Sequence, residues 1–220
     1  MSKSRNLCVM PKRPENEEEL QKREAIGVIR ASRFVRRYAH SHKAITTETI
    51  LDVHREIFKD AWTEIVGKYR DENLEITESK HLPPHHSVVA EQMVNVGREL
   101  SLRTGSLREK EGVLMNTLLP IEKVYEEVER IVDTAAWIHH QITFVHPFRE
   151  GNGRTARLFA NLILERYGLV GISIKMEKEN KNRYRAALAQ ADATKDLEPL
   201  KAIIYDGIID RYKGVRLKYY

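Results

Sequence analysis

Cysteine is almost missing from this chain. Cys8 is the only one in 220 residues, which rules out an internal disulfide and suits a reducing compartment. Long apolar runs are missing too. No stretch approaches the roughly 20 residues a membrane-spanning helix requires, and the N-terminus carries no apolar signal-peptide core. The sequence therefore reads as cytoplasmic, with no membrane partner. Aromatic residues are scarce at 7%, and none is interleaved with basic residues in a stacking motif. The net charge of +5 and pI near 9.2 are spread along the chain, so a solvated surface is a better reading than a nucleic-acid interface. Internal repeats are absent.

What is present is a charged, helix-forming chain of 25.6 kDa, with 31% charged and 41% hydrophobic residues. That balance suits one soluble helical domain. The boundaries read as a polar, flexible tail over 1–19, a single domain over 20–212 and a basic tail over 213–220. Val28, Ala31, Val35 and Tyr38 recur at helical steps between Leu20 and Ala39. Thr46 or Thr47 caps a second helix whose apolar stripe is Ile50, Val53, His54, Ile57, Phe58 and Ala61. His54 reads as a core-edge residue. Residues 71–86 lose the helical period and carry Leu74 and Ile76, then Pro83 and Pro84. His81, His85 and His86 lie there without the companions a metal site needs. Ser87 caps a helix with Val89, Met93, Val96 and Leu100 inward, and Gly105 and Gly112 mark loops. Pro120 opens a long helix bearing Ile121, Val124, Val128, Ile131, Ala135, Ile138 and Ile142. Near its end, His139 and His140 read as cations that complement the helix dipole. Leu158 to Tyr167 is apolar on most sides, so that helix is expected to be enclosed, with Gly168 as its stop.

Between the two most apolar helical segments lies His146-Pro147-Phe148-Arg149-Glu150-Gly151-Asn152-Gly153-Arg154-Thr155-Ala156-Arg157. Two glycines around an asparagine let successive backbone N–H groups turn into one concavity, and the helix that follows offers unpartnered N–H groups at its positive end. Arg154 and Arg157 are three apart and read as sharing a face. Cations in a first helical turn oppose the dipole, so a multiply charged anion is expected to face them. Glu150 beside phosphates calls for a hard cation between them, Mg²⁺ being the usual one. His146 is the group able to accept a proton near neutral pH. Each component alone has a plainer reading: Gly-Asn-Gly as a turn, the histidine as structural, the arginine pair as a solvated face. Phe148 is a core anchor under either view. Their conjunction at fixed spacing favours the anion site.

The stretch resembles, at every defining position, the signature H-x-F-x-[DE]-G-N-G-R-x-x-R of the Fic family. The resemblance covers roughly 45–205. It implies an all-α fold, mainly helices around a central buried helix, with a small β-hairpin flap that clamps the target segment by adding a strand. Leu74 and Ile76 would belong to that flap. It also implies an adenylyltransferase that moves AMP from ATP to a Ser, Thr or Tyr hydroxyl of a protein and releases pyrophosphate. His146 would be the base, Glu150 the Mg²⁺ ligand, and Gly151, Asn152 and Gly153 the anion hole for the α- and β-phosphates. Arg154 and Arg157 would bind the outer phosphates, Arg157 the γ-phosphate, and Asn182 and Tyr184 would help seat the adenine. Gly153 favours AMP transfer, because the phosphate-transferring Doc branch has another residue there. Trp62 and Gly67-Lys68-Tyr69-Arg70 resemble the element that precedes the flap, at a longer spacing.

Many Fic proteins are restrained by a helix bearing [ST]-x-x-x-E-[GN], and no stretch here matches it. Ser87–Glu91, Ser173–Glu177 and Thr194–Glu198 have the spacing but are followed by Gln92, Lys178 and Pro199. A separate antitoxin that supplies the glutamate is one reading, an unrestrained enzyme another. Glu24 lies where a degenerate version would fall, without supporting neighbours. Alternatives in the same cavity are transfer of UMP, phosphocholine or phosphate. From another class come a non-catalytic toxin-like module and a nucleic-acid binder.

Overall fold

The computed structural model describes residues 12–77, 79–107, 120–173 and 178–213. The tail up to Pro11, the expected loop at Gly112 and the basic tail beyond Lys213 lie outside them. Seven α-helices follow in order: α1 Glu17–Ala39, α2 Thr47–Phe58, α3 Val89–Gly105, α4 Ile121–Val145, α5 Asn152–Arg166, α6 Lys178–Thr194 and α7 Glu198–Tyr212.

The first helix starts earlier than its apolar period suggests. Asn16 accepts from the N–H groups of Glu18 and Glu19 at 2.8 and 3.4 Å, and Glu17, Glu18 and Glu19 form a first turn that complements the helix dipole. A capping box of Thr46 and Thr49 starts α2, and Ile50, Val53, His54, Ile57, Phe58 and Ala61 are all fully buried, as their stripe predicts. Val89, Met93, Val96 and Leu100 turn inward from α3. A 3-10 turn over His86–Val88 precedes that helix, so Ser87 stands before the helix start instead of capping it.

Helix α5 is the centre. Ala156, Phe159, Ala160, Leu162, Ile163 and Leu164 are at most 1% exposed, and α4, α1 and α2 pack against it. Its C-terminus closes in a Schellman arrangement: Gly168 sits at φ +96°, Leu169 N–H donates to Leu164 and Gly168 N–H to Glu165. Buried Arg166 donates from Nη2 to the carbonyls of Tyr38 and Lys43 at 3.0 and 2.8 Å, which satisfies the end of α1. The first turn of α4 departs from expectation, since Ile121 is exposed and its stripe becomes buried only farther along.

Two expectations need correction. His139 and His140 do not stand at the helix end. The helix continues to Val145 and both imidazoles are buried. The segment 71–85 contains no strand among its described residues, so no β-hairpin is present in them. The Glu72 and Pro84 carbonyls accept from the Arg70 guanidinium, the Ile76 carbonyl accepts from Ser79 N–H, and Pro83 and Pro84 have no N–H to give to a ladder. A strand-like alternation survives nonetheless: Glu72, Leu74 and Ile76 are half-buried and Asp71, Asn73, Glu75 and Thr77 exposed.

The α1–α2 crossing depends on Gly27. A Cβ there would lie 1.8 Å from the Ile57 carbonyl oxygen, and backbone cannot yield as a flexible side chain can. Gly27→Ala should therefore destabilise the fold by about 3 kcal/mol through forced separation of the helices. Urea unfolding measures this, and an unchanged midpoint would contradict such close contact.

Candidate active site

The signature stretch leaves α4 through a left-handed residue. His146 caps that helix at φ 50°, ψ 57°, with its N–H donating to Ile142 at 3.1 Å. The chain then crosses to α5, whose N-cap Gly151 is also left-handed at φ 80°. A Cβ at Gly151 would lie 2.3 Å from Cε2 of the buried Phe58 ring, so both conformation and space demand glycine.

Asn152 holds the loop together. Its Oδ1 accepts from Phe148 N–H at 2.8 Å and its Nδ2 donates to Phe148 carbonyl at 2.7 Å, closing both backbone groups of one residue. At 2% exposure this side chain is a clamp, and only its backbone N–H, with those of Gly153 and Arg154, opens the helix. Phe148 is fully buried and stacks on His54 at 3.9 Å between ring centroids.

His54 does more than fill the core edge. Gly67 N–H donates to its Nδ1 at 3.1 Å, so Nε2 bears the proton and donates to the Glu150 carbonyl, also at 3.1 Å. Burial lowers its pKa to about 4, with Arg154 and Arg55 opposing its charge as well. A histidine inside an otherwise apolar stripe was the visible signal for this role.

A cavity of about 910 Å³ opens beside the loop. Ile76, Thr77 and residues 79–82 form one wall, Thr143 of α4, His146 at its end, and Gly153 and Arg157 of α5 the floor, and α6 from Tyr184 to Ala193 the other wall. Burial lowers the His146 pKa, and Arg70 and His81 nearby also disfavour its charge. Its Nδ1 lies 3.3 Å from the Thr143 carbonyl. That contact selects the neutral tautomer with the proton on Nδ1 and a lone pair on Nε2.

The two arginines part company. Arg157 lines the cavity, lies against the buried Tyr184 hydroxyl, and has its Nη1 3.3 Å from where a Gly153 Cβ would stand. Arg154 points to α1, where Glu24 Oε2 is 2.5 Å from its Nη1, while its Nη2 donates to Glu150 Oε1 at 3.0 Å. The shared face is given up because the long side chain of Arg154 follows the nearest carboxylate. Glu150 Oε1 also accepts from Gly151 N–H at 2.8 Å. Tyr184 lies on the cavity wall, whereas Asn182 is exposed on the helix turn beside it. Leu74 and Ile76 are half-buried, and Ile76 lines the cavity.

Three residues join the site that their spacing alone did not mark. Arg70, 5% exposed, donates from Nε to His146 carbonyl at 2.8 Å, from Nη1 to Glu72 carbonyl at 2.9 Å and from Nη2 to Pro84 carbonyl at 2.5 Å. His81 has its Nε2 2.8 Å from the Phe144 carbonyl and stacks on that ring, fastening its wall of the cavity to α4. His139 is fully buried with Nε2 2.7 Å from Tyr184 hydroxyl, and burial holds its pKa at about 3, with Arg157 and His140 adding to the shift.

The N-terminus of central α5, its Arg157 and the His146 imidazole at the end of α4 thus converge on one cavity of a helical bundle. A family profile described as Fic/DOC matches residues 44–164, more than half of the chain, and the chain belongs to that family. It is 30% identical over 196 residues to protein adenylyltransferase fic-1 of Caenorhabditis elegans, covering 87% of this chain and 34% of the relative. Protein adenylyltransferase Fic of Nematostella vectensis is 27% identical over 174 residues, 79% of this chain and 35% of the relative. The chain thus spans about a third of the curated relatives it matches. Among solved structures, Fic-1 (residues 134–508) of C. elegans superposes with TM-score 0.68 at 24% identity, covering 91% of this chain and 53% of that one. BepC of Bartonella tribocorum, solved with AMPPNP, gives TM-score 0.61 at 16% identity over 88% of both chains. These likenesses show the fold.

Stability should depend on acid through the buried histidines. His54 and His139 have folded pKa values below the ordinary 6.5, so the unfolded chain binds more protons between 6.5 and about 3 to 4. Stability is therefore full above pH 6.5 and lost as pH falls through that window, by about 2 kcal/mol for each group at pH 5. Urea unfolding of wild type and His54→Gln at pH 7 and pH 5 measures it. The variant should lose less on acidification than wild type, and equal losses would exclude His54 as a contributor.

Proposed function

We propose that this chain is a protein adenylyltransferase, transferring AMP from ATP to a Ser, Thr or Tyr hydroxyl of a target protein and releasing pyrophosphate. The observation that carries this reading is the convergence of His146, Gly153 at the start of α5, and Arg157 on one cavity, with Glu150 in the same loop. The names of the nematode and sea-anemone relatives support it.

The target oxygen attacks the α-phosphorus, the bond from that phosphorus to the bridging oxygen breaks, and pyrophosphate departs. His146 takes the hydroxyl proton at Nε2, which the Nδ1 contact with Thr143 leaves unprotonated. The open N–H groups at the start of α5 receive phosphate oxygens, and Arg157 grips the outer phosphates with paired donors. Tyr184 forms the wall toward the nucleoside. Gly153 leaves room for Arg157, consistent with AMP as the transferred group.

Mg²⁺ fits the donors present. Among the described residues no group of three or more His, Cys, Asp or Glu could cage a metal, and one carboxylate beside phosphate oxygens is a set this ion accepts. Glu150 has one oxygen engaged by Gly151 and Arg154 and a half-exposed side chain. It would hold the ion, which when bound supplies charge neutralisation of the phosphates. The partner implied is a hydroxyl-bearing protein segment laid along residues 73–77, whose alternation resembles a strand awaiting its neighbour. For control, a separate antitoxin that supplies a glutamate is one reading and an unrestrained enzyme another.

Incubation of a lysate with labelled ATP should label target proteins, and His146→Ala should abolish the signal. Labelling that survives unchanged would remove His146 as the base. Arg157→Ala should raise KM for ATP about 10- to 100-fold, the loss of a charge-assisted contact. Because burial favours neutral His146, the acidic limb of kcat/KM should fall below pH 6.5. A limb above 6.5 would mean the imidazole prefers its charged form there.

A further inference from the structure

Arg154 is an awkward residue at its position. It stands in the first turn of α5, where a cation opposes the helix dipole, and its guanidinium rests over Phe58 at 5.1 Å from the ring centroid. Its side chain is 25% exposed, and two carboxylates surround it. Glu24 comes from α1, 130 residues away in sequence, and is 13% exposed. A carboxylate so far out of water is held there by its partner, beyond what surface ion pairs do. Glu150 is held at more than one atom: its carbonyl by His54, and Oε1 by both Gly151 N–H and Arg154 Nη2.

An arginine with a single carboxylate beside it tends to take both oxygens with two parallel N–H donors. Here Glu24 engages Nη1, which takes the end-on Nη1/Nη2 pair away from Glu150, and Arg154 meets Glu150 through Nη2 at one oxygen. We infer that Glu24 is a positioning residue for cation binding: by drawing Nη1 toward α1 it holds the Arg154 guanidinium where Nη2 alone meets Glu150, at Oε1, and leaves Oε2 to a divalent ion. The inference rests on the adenylyltransferase reading for its ion and nucleotide. It differs from restraint by a glutamate that blocks the γ-phosphate, because Glu24 meets Arg154 and not Arg157, and its loss weakens the site instead of freeing it. It also takes Arg154 out of phosphate binding and gives it a place in the loop's framework.

The test is calorimetry of ATP binding across a Mg²⁺ titration. Glu24→Gln should raise the Mg²⁺ concentration for half-maximal binding about tenfold or more, the usual effect of losing a residue that orients a metal ligand. Its ATP affinity in EDTA should stay at the wild-type value. Glu24→Asp, which keeps the charge, should recover part of the loss and serves if the glutamine variant does not fold. In an Arg154→Gln background, Glu24→Gln should add nothing to the Mg²⁺ requirement. An unchanged requirement in Glu24→Gln, or stronger labelling than wild type, overturns the inference. Should wild type bind no Mg²⁺·ATP at all, the adenylyltransferase reading falls. Thermal unfolding of the two single variants and the double still decides whether Glu24 acts through Arg154: additive losses refute the coupling and non-additive losses support it.

Discussion

The clamp between Asn152 and the backbone of Phe148 is what the rest of the site depends on. A loop of left-handed corners has many ways to relax, and an anion site tolerates few of them. Because one buried amide satisfies both polar groups of a buried residue, the loop gains rigidity without leaving a polar atom unpaired. From that clamp outward each support has a physical cause. Phe148 is pinned by stacking on His54, His54 stays neutral because it is buried, and its remaining proton fixes the Glu150 carbonyl. Enclosure of α5 does the rest, since a helix apolar on nearly all sides is steadied by its neighbours on every face.

Much of this was legible in the residues. The stripe on α2, the inward face of α3, the enclosure of α5 and its glycine stop all follow from period and composition, and the structure agrees with each. Boundaries set by side-chain caps were harder, as at Glu17, where polar residues look like tail until Asn16 is seen bonding to their amides. The flap went further astray. Alternating Leu74 and Ile76 suggest a strand, but strands are made by partners, and among the described residues the nearby carbonyls are engaged by a guanidinium.

Long-range electrostatics was least legible. Nothing local distinguishes Glu24 from its acidic neighbours, and its meeting with Arg154 follows only from the packing of α1 on α5. The histidines teach the same lesson in reverse. His139 and His140 look like cations near a helix end, yet burial makes neutrality the cheaper state for His139 and binds it to Tyr184. Charge in a sequence is formal, and the fold decides how much of it exists.

Arg70 grips three carbonyl oxygens, from residues 72, 84 and 146, and its own N–H donates to a fourth at Pro147. Every one of these contacts is to main chain. The stretch from 72 to 84 is thus moored to the reactive loop at its Glu72 and Pro84 ends through main-chain oxygens, whatever side chains those two residues carry. Between those two moorings, side chains such as Leu74 and Ile76 are at liberty to change toward whatever partner they must fit, while Glu72 and Pro84 hold their distance from His146.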